Sequence, residues 1–142
     1  ALKSTEVPTE TTKSKSRARS GKILVMDDEK VIRKVLSKML EQIGFVPVAV
    51  ANGEQAIQEY KQSMEQDQPF DAVILDLTIK GGKGGLDTQK ELLALDSKVR
   101  AIASSGYSND EIITHFENYG FKGRLIKPYK VDELKDLIYS IL

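Results

Sequence analysis

The feature that most constrains the fold is an alternation of short apolar runs with segments of helical periodicity, repeated five times along the chain. The apolar runs lie at residues 22–26, 45–50, 70–75, 99–103 and 121–126. They are nearly continuous, which is typical of strands that are buried on both faces of a parallel sheet. Between them, apolar residues recur at intervals of three and four, as on one face of an amphipathic helix. The alternation predicts an α/β fold, a five-stranded parallel sheet with helices on both faces.

Glycine, asparagine and proline residues indicate where some of these elements begin, end or lie at an edge. Gly44 is expected to close the first helix, and Asn52 is expected to cap the second. Pro47 favours an edge position for the second strand, because proline cannot donate to a sheet ladder. A weaker helix is predicted near residues 109–119. The apolar positions of the first and last helices are Val31, Ile32, Val35, Leu36, Met39 and Leu40, then Leu134, Leu137, Ile138 and Ile141.

Residues 1–20 differ from the rest of the chain in composition. They are rich in Ser, Thr, Lys and Glu and almost lack apolar residues. Such a segment cannot bury enough surface to offset its ordering entropy, so it is predicted to be a flexible linker. Residues 21–142 are long enough to bury a sizeable core and are predicted to form one domain.

Composition also narrows the possible partners and locations. The formal net charge is zero, which gives no reason to expect direct nucleic-acid binding. No apolar run approaches the roughly 20 residues that span a bilayer, so no membrane segment is expected in this chain. The chain has no cysteine, which excludes disulfides and thiolate chemistry and fits a reducing compartment. We therefore expect a cytoplasmic location.

Polar residues follow four of the predicted strands at the point where each strand ends. They are Asp27, Asp28, Asp76, Ser104, Ser105 and Lys127. The carboxyl ends of parallel strands meet at one edge of a sheet, so these side chains are expected to share a crevice. Three neighbouring carboxylates need a cation, and oxygen ligands without His or Cys favour Mg²⁺. The lysine and the serines suit an anion such as phosphate, and Asp76 beside a metal suits nucleophilic attack on phosphorus.

At these residues the chain resembles the receiver domain of two-component response regulators, which has a flavodoxin-like (βα)5 fold. Four segments carry the resemblance in order along residues 21–142, namely ILVMDDE, VILDLT, AIASSG and LIKPY. Ser105 and Lys127 are 22 residues apart, which is the usual gap of the family. That spacing favours Ser105 over Ser104 as the hydroxyl of the switch.

The resemblance implies a role for each residue around the phosphoryl acceptor. Asp76 would be the phosphoacceptor. Asp28 would ligate Mg²⁺ directly, and Asp27 would do so directly or through water. Thr78 would supply a backbone carbonyl to the same ion, and its position in the family tunes hydrolysis of the phosphoryl group.

The resemblance also implies which residues transmit the change. Lys127 would pair with the acceptor and then with the phosphoryl oxygens, and Ser105 would bond the phosphoryl group and draw its loop inward. Tyr107 occupies the second position that tunes hydrolysis. Pro128 is expected to follow a cis peptide bond. Arg124 replaces the aromatic residue that often reports activation, so coupling through a swinging ring is not expected here.

The implied function is a phosphoacceptor switch. A histidine kinase or phosphotransfer protein would supply the phosphoryl group, and a downstream protein or linked domain would read the change. Such a domain catalyses its own phosphorylation and slow dephosphorylation without being a conventional multiple-turnover enzyme. The basic tail would suit a receiver at the C-terminus of a hybrid sensor histidine kinase, although a stand-alone receiver is the alternative.

Three other interpretations remain to be weighed. A degenerate receiver would bind partners without phosphorylation. A nucleotide-binding loop at residues 79–85 would need Lys followed by Ser or Thr where Gly85 and Leu86 stand. An aspartyl phosphatase usually has a second Asp two residues after the nucleophile, where this chain has Thr78. The only histidine, His115, is predicted to be a surface or packing residue, which argues against a phosphohistidine donor.

Overall fold

The computed structural model describes residues 21–79, 83–107 and 110–142. The predicted linker of residues 1–20 lies outside the described residues, as do residues 80–82 of the glycine-rich loop and residue 109 at the start of the weaker helix.

The elements alternate as the sequence predicts. The strands are β1 (Lys22–Met26), β2 (Val46–Val50), β3 (Ala72–Asp76), β4 (Ala101–Ser105) and β5 (Gly123–Ile126). The helices are α1 (Lys30–Ile43), α2 (Gly53–Glu65), α3 (Gly85–Leu95), α4 (Glu111–Thr114) and α5 (Val131–Ile141), with a 3-10 helix at Phe116–Tyr119 after α4. None of the helices within the described ranges is long and apolar enough to cross a membrane.

The five strands form one parallel sheet in the order β2-β1-β3-β4-β5. The chain leaves β1 toward one edge and then returns to place β3 on its other side. The connections that leave the carboxyl ends of β1 and β3 therefore diverge, and a crevice opens between them. The predicted five-stranded, flavodoxin-like sheet is confirmed, and Pro47 lies in the edge strand β2 as expected.

Helices cover both faces of the sheet and divide the core in two. Because strand side chains alternate, Ile23 and Val25 of β1 pack on one face while Leu24 and Met26 pack on the other. Helices α1 and α5 cover the first face, and α2, α3 and α4 cover the second. All five residues of β3 are buried, and each large apolar side chain so placed contributes about 1.5–3 kcal/mol to folding.

The two residues predicted to terminate helices, Gly44 and Asn52, do so in the structure. Gly44 ends α1 in the left-handed conformation, with φ of 112°, and its N–H donates to the carbonyls of Leu40 and Glu41. Glycine adopts this conformation without the steric penalty of a Cβ atom. The side chain of Asn52 caps α2 by accepting from the N–H of Gln55 at 2.9 Å.

The structure corrects several boundaries. The weaker helix is broken into α4 and the 3-10 helix, because His115 between them leaves helical geometry at φ −116° and ψ 42°. Phe70 and Phe121 are buried but precede their strands, since apolar burial does not require ladder hydrogen bonds. The fourth strand runs two residues further than predicted, through both serines.

The apolar pattern of α1 is also wider than the face that the helix buries. Leu36 and Leu40 are fully buried against the sheet, but Val31 is 70% exposed and Val35 is 42% exposed. These two valines lie on the outward side of the helix. The helical spacing of the six apolar positions predicts the helix but does not by itself mark which of them are buried.

Candidate functional site

Three aspartates converge at the crevice. Asp27 directly follows β1, and Asp76 is the last residue of β3, which pairs with β1 so that Met26 lies beside Leu75. This register brings Asp27, Asp28 and Asp76 together, with one oxygen of each carboxylate within 4.8 Å of the others. Asp27 and Asp76 are each only 1% exposed, whereas Asp28 is open to solvent.

Lys127 reaches the same carboxylates from β5. Its ammonium nitrogen lies 2.9 Å from Oδ2 of Asp27 and 3.5 Å from Oδ1 of Asp76. Its backbone N–H donates to the carbonyl of Ser105 at 2.8 Å, which continues the β4–β5 ladder beyond the last strand residue. The side chain is therefore aimed into the crevice by a backbone that the sheet holds in place.

Burial and charge oppose each other at this cluster. Burial raises the pKa of Asp27 above its ordinary value of 3.8, although a hydrogen bond from the N–H of Glu29 and the nearby Lys127 ammonium counteract the rise. Burial lowers the pKa of Lys127, but Asp27 and Asp76 outweigh that effect and the pKa is raised. Lys127 thus stays protonated at neutral pH. One ammonium faces three carboxylates, and this excess of negative charge favours a further cation.

The two oxygens of Asp76 have different surroundings. Oδ1 accepts from the N–H of Thr78 at 3.0 Å and from its hydroxyl at 2.7 Å. Oδ2 is buried, and the described residues offer it no hydrogen-bond partner. A buried acceptor without a partner is costly, so this oxygen suits a ligand that the protein itself does not supply. The set of carboxylate oxygens therefore fits a hard divalent cation such as Mg²⁺.

An open cleft leads to the cluster. It has a volume of about 380 Å³ and is lined by Asp28, Glu29, Thr78, Gly106, Tyr107 and Lys127. Tyr107 lies at its rim with 65% of its surface exposed. The cleft therefore opens to solvent beside Asp28 and Lys127, while Asp76 itself is buried.

Ser105 lies behind this cleft at the end of β4. It is fully buried, and its hydroxyl accepts from the N–H of Tyr107 at 3.0 Å. A hydroxyl that accepts one bond can still donate its own proton. Ser105 is thus tied directly to the loop that follows β4.

Arg124 and Pro128 are not among the residues that line the cleft. The guanidinium of Arg124 donates to the carbonyl of Ile113 at 3.2 Å and lies 5.8 Å from the centre of the Phe116 ring. It therefore joins β5 to α4 and the 3-10 helix. The peptide bond between Lys127 and Pro128 is cis.

Sequence reasoning missed two residues that support the acidic cluster. Arg33, one turn into α1, donates from Nη1 to the backbone carbonyl of Asp27 at 2.9 Å. Gly85 opens α3 so close to β3 that a Cβ atom there would lie 2.6 Å from the backbone oxygen of Asp76. The helical periodicity after Asp27 could have indicated Arg33, but nothing in the sequence pattern indicates the approach of Gly85.

The glycine-rich loop does not resemble a phosphate cradle in its described part. The carbonyl of Lys83 accepts from the N–H of Gly53 at 3.1 Å, and its ammonium pairs with Glu91. Lys83 therefore contacts α2 through its backbone and α3 through its side chain. His115 is exposed, as predicted.

The sequence of this chain is similar to a known protein family and to individual relatives. The family described as response regulator receiver domain matches residues 23–139. Sporulation initiation phosphotransferase F of Bacillus subtilis (strain 168) is 29% identical over 121 residues, which cover 85% of this chain and 93% of that protein. Sensory/regulatory protein RpfC of Xanthomonas campestris pv. campestris is 29% identical over 131 residues, but these cover 89% of this chain and 17% of that protein.

A solved structure is similar to this chain in both sequence and fold. The response regulator protein TrrA from Thermotoga maritima, in complex with Mg(2+)-BeF, is 27% identical to this chain. The two superimpose with a TM-score of 0.72 over 86% of this chain and 99% of that one.

Proposed function

The chain belongs to the response regulator receiver domain family, and on that premise we propose that it is a phosphoacceptor switch whose acceptor is Asp76. The observation that carries the proposal is the pair of unlike oxygens on Asp76. One is held by Thr78, and the other is buried with no hydrogen-bond partner among the described residues. An acceptor carboxylate needs one oxygen fixed and one free to react.

The phosphoryl group would come from a phosphohistidine of a histidine kinase or phosphotransfer protein. A carboxylate oxygen of Asp76 attacks phosphorus, the P–N bond breaks, and the imidazole leaves with that electron pair. The product is an acyl phosphate on Asp76. Little covalent chemistry is asked of the protein in such a step, so positioning and charge neutralisation dominate catalysis.

Three carboxylates would hold Mg²⁺, those of Asp27, Asp28 and Asp76, together with the backbone carbonyl of Thr78. When bound, Mg²⁺ neutralises charge on the transferring group. Two observations support this part of the proposal. The three carboxylates lie within reach of one ion, and the TrrA relative was solved in complex with Mg(2+)-BeF.

Lys127 and Ser105 would receive the phosphoryl oxygens. The new group carries about −1.5 to −2 charges and three acceptor oxygens. The Lys127 ammonium is already at the carboxylates, and Ser105 can turn its proton toward the new acceptor. Because Ser105 also accepts from the N–H of Tyr107, its movement would carry the loop after β4 with it. This is a population shift that a local charge biases.

The movement of Ser105 and its loop would then change a surface that a partner recognises. The surface formed by α4, β5 and α5 is proposed to present the change to a downstream protein or a linked domain, with Arg124 as a tie between β5 and α4. Thr78 and Tyr107 are proposed to tune hydrolysis of the acyl phosphate. The domain would act on itself and would not turn over a substrate in the ordinary sense.

The proposal also covers the domain organisation of the chain and its location. Residues 21–142 would be the receiver, and residues 1–20 a linker to another domain. A receiver within a hybrid sensor kinase would suit such a linker, and the alignment with 17% of RpfC is consistent with this arrangement. The absence of cysteine from the sequence and the class of phosphodonor support a cytoplasmic location.

The test is intact-mass measurement after incubation with acetyl phosphate, with and without Mg²⁺. We expect a gain of one phosphoryl group that requires Mg²⁺. A folded protein that gains nothing would instead be a degenerate receiver that binds partners without phosphorylation.

A further inference from the structure

Two hydroxyl groups meet directly behind the acidic cluster. The hydroxyl of Ser104 contacts that of Tyr129, and Ser104 is 1% exposed. Successive strand residues point to opposite faces, so Ser104 points away from Ser105, toward the face that α1 and α5 cover. Tyr129 packs against the apolar cluster on that face. Burial raises the pKa of Tyr129 to about 12, so the phenol keeps its proton and can donate at neutral pH.

Each partner is linked to a reactive residue, Ser104 through the β3–β4 ladder and Tyr129 along the chain. Ser104 lies opposite Asp76 in the β3–β4 ladder. Tyr129 follows Lys127 by two residues, and the backbone N–H of Lys127 donates to Ser105. The hydroxyl contact therefore ties the segment that carries the lysine to the strand that lies beside the acceptor.

We propose that the Ser104–Tyr129 hydroxyl pair is a positioning clamp, which fixes the segment after β5 to β4 and thereby sets the place of the Lys127 ammonium between Asp27 and Asp76. The inference rests on the proposed function and deepens it. Neither hydroxyl belongs to the metal-binding or phosphoryl-accepting set, so Ser104 and Tyr129 are positioning residues.

The clamp has a signature that separates it from ordinary packing. An ammonium and a divalent cation compete for the same carboxylates. A loosened Lys127 would hold the incoming phosphoryl group less well but would also compete less with Mg²⁺. Loss of the clamp should therefore slow phosphoryl uptake while Mg²⁺ affinity is unchanged or higher. A general loosening of the fold would lower both.

Two single changes and their combination test this signature. Tyr129→Phe and Ser104→Ala each remove one oxygen atom. Tyr60→Phe is the matched control, because it also removes one tyrosine hydroxyl bond, to Asp96 at 2.7 Å, away from the cluster. Rates of uptake from acetyl phosphate and Mg²⁺ dissociation constants from calorimetry are compared for all variants.

We expect Tyr129→Phe and Ser104→Ala to slow uptake by at least about threefold, within the roughly hundredfold that a misplaced reacting group can lose. The double variant should be no slower than the slower single variant, because paired groups are not additive. Tyr60→Phe should leave the uptake rate unchanged. Unchanged uptake in both folded single variants, or a joint fall of uptake and Mg²⁺ affinity, would overturn the clamp.

A second measurement does not need phosphorylation. Hydrogen exchange at the backbone N–H of Lys127, followed by NMR, should be faster in Tyr129→Phe than in wild type or Tyr60→Phe. Equal protection in the three proteins would contradict the clamp. If wild type itself takes up no phosphoryl group, the proposed function fails, and the exchange rates still decide the clamp. Should Tyr129→Phe not fold, Ser104→Ala gives the same comparison.

Discussion

The ammonium nitrogen of Lys127 lies 2.9 Å from Oδ2 of Asp27, closer than the 3.5 Å that separates it from Oδ1 of Asp76. A lysine at the end of β5 thus reaches past β4 and β3 to the acid that follows β1. It partly neutralises an acidic cluster whose carboxylates could also ligate a cation. The Lys127 ammonium and a bound cation would therefore compete for the same carboxylates.

Replacing Lys127 with Ala should have opposite effects on Mg²⁺ binding and on the conformational response to phosphorylation. We expect Lys127→Ala to bind Mg²⁺ more tightly than wild type, because the competing ammonium is gone. Some phosphorylation should remain, with a weaker conformational response. Calorimetry gives the affinity, and NMR shift changes on treatment with acetyl phosphate give the response. Lys122→Ala, an exposed lysine just before β5, is the control, and a full-sized response in Lys127→Ala would disprove the role of this lysine.

Asp27 should lower the stability of the protein at neutral pH when no Mg²⁺ is present. Burial raises its folded-state pKa above the ordinary value of 3.8, so the folded protein favours the protonated carboxyl. Its contribution to stability is present below pH 3.8 and is lost as pH rises through the folded-state pKa. We therefore expect Asp27→Asn to raise the free energy of unfolding in urea at pH 7.

The exposed neighbour Asp28 supplies the control for that measurement. Asp28→Asn should change stability by no more than about 0.5 kcal/mol, as surface changes usually do. A lower stability for Asp27→Asn than for wild type at pH 7 would show that the ion pair with Lys127 outweighs burial.

The same exposed aspartate is predicted to matter for metal affinity. Asp28→Asn should raise the Mg²⁺ dissociation constant by roughly tenfold or more, since removal even of groups that only support a metal ligand has effects of that size. Calorimetric titration measures the change. Asp87→Asn, an exposed aspartate in the first turn of α3, should bind Mg²⁺ as wild type does. Equal affinities for all three proteins would remove Asp28 from the ligand set.

Gly85 should be intolerant of any side chain. A Cβ atom there would lie 2.6 Å from the backbone oxygen of Asp76, and overpacking of this kind costs about 1–3 kcal/mol. Gly85→Ala should therefore lower the free energy of unfolding by that amount and slow phosphoryl uptake. Gly106→Ala is the control, because a Cβ atom there meets nothing within 4 Å. If the two variants unfold at the same urea concentration, the close approach is not a constraint.

The sheet could be predicted from the sequence because burial on both faces leaves a strong signal. The runs that became β1 and β3 are mostly apolar, with Lys22 and Asp71 as the exceptions, and the acids at their ends meet at one edge because the strands are parallel. The approximate place of Asp27, Asp76 and Lys127 followed from that reasoning, whereas the choice of Ser105 over Ser104 came from the spacing that the resemblance implies.

Other features depend on packing that the sequence pattern does not encode. Val31 and Val35 share the helical spacing of α1 with its core residues, but the sheet covers only a narrower face. The contact of Ser104 with Tyr129 joins residues that are 25 positions apart. It depends on which way β4 is pleated and on how the segment after β5 packs, and neither is visible in a periodicity.

The central claim is that Asp76 accepts the phosphoryl group, and comparison of Asp76→Asn with Asp87→Asn tests it most directly. Both proteins are incubated with acetyl phosphate and Mg²⁺, and their intact masses are measured alongside wild type. The account predicts a gain of one phosphoryl group in wild type and Asp87→Asn and none in Asp76→Asn. Substantial phosphoryl uptake by folded Asp76→Asn would contradict the assignment of the acceptor.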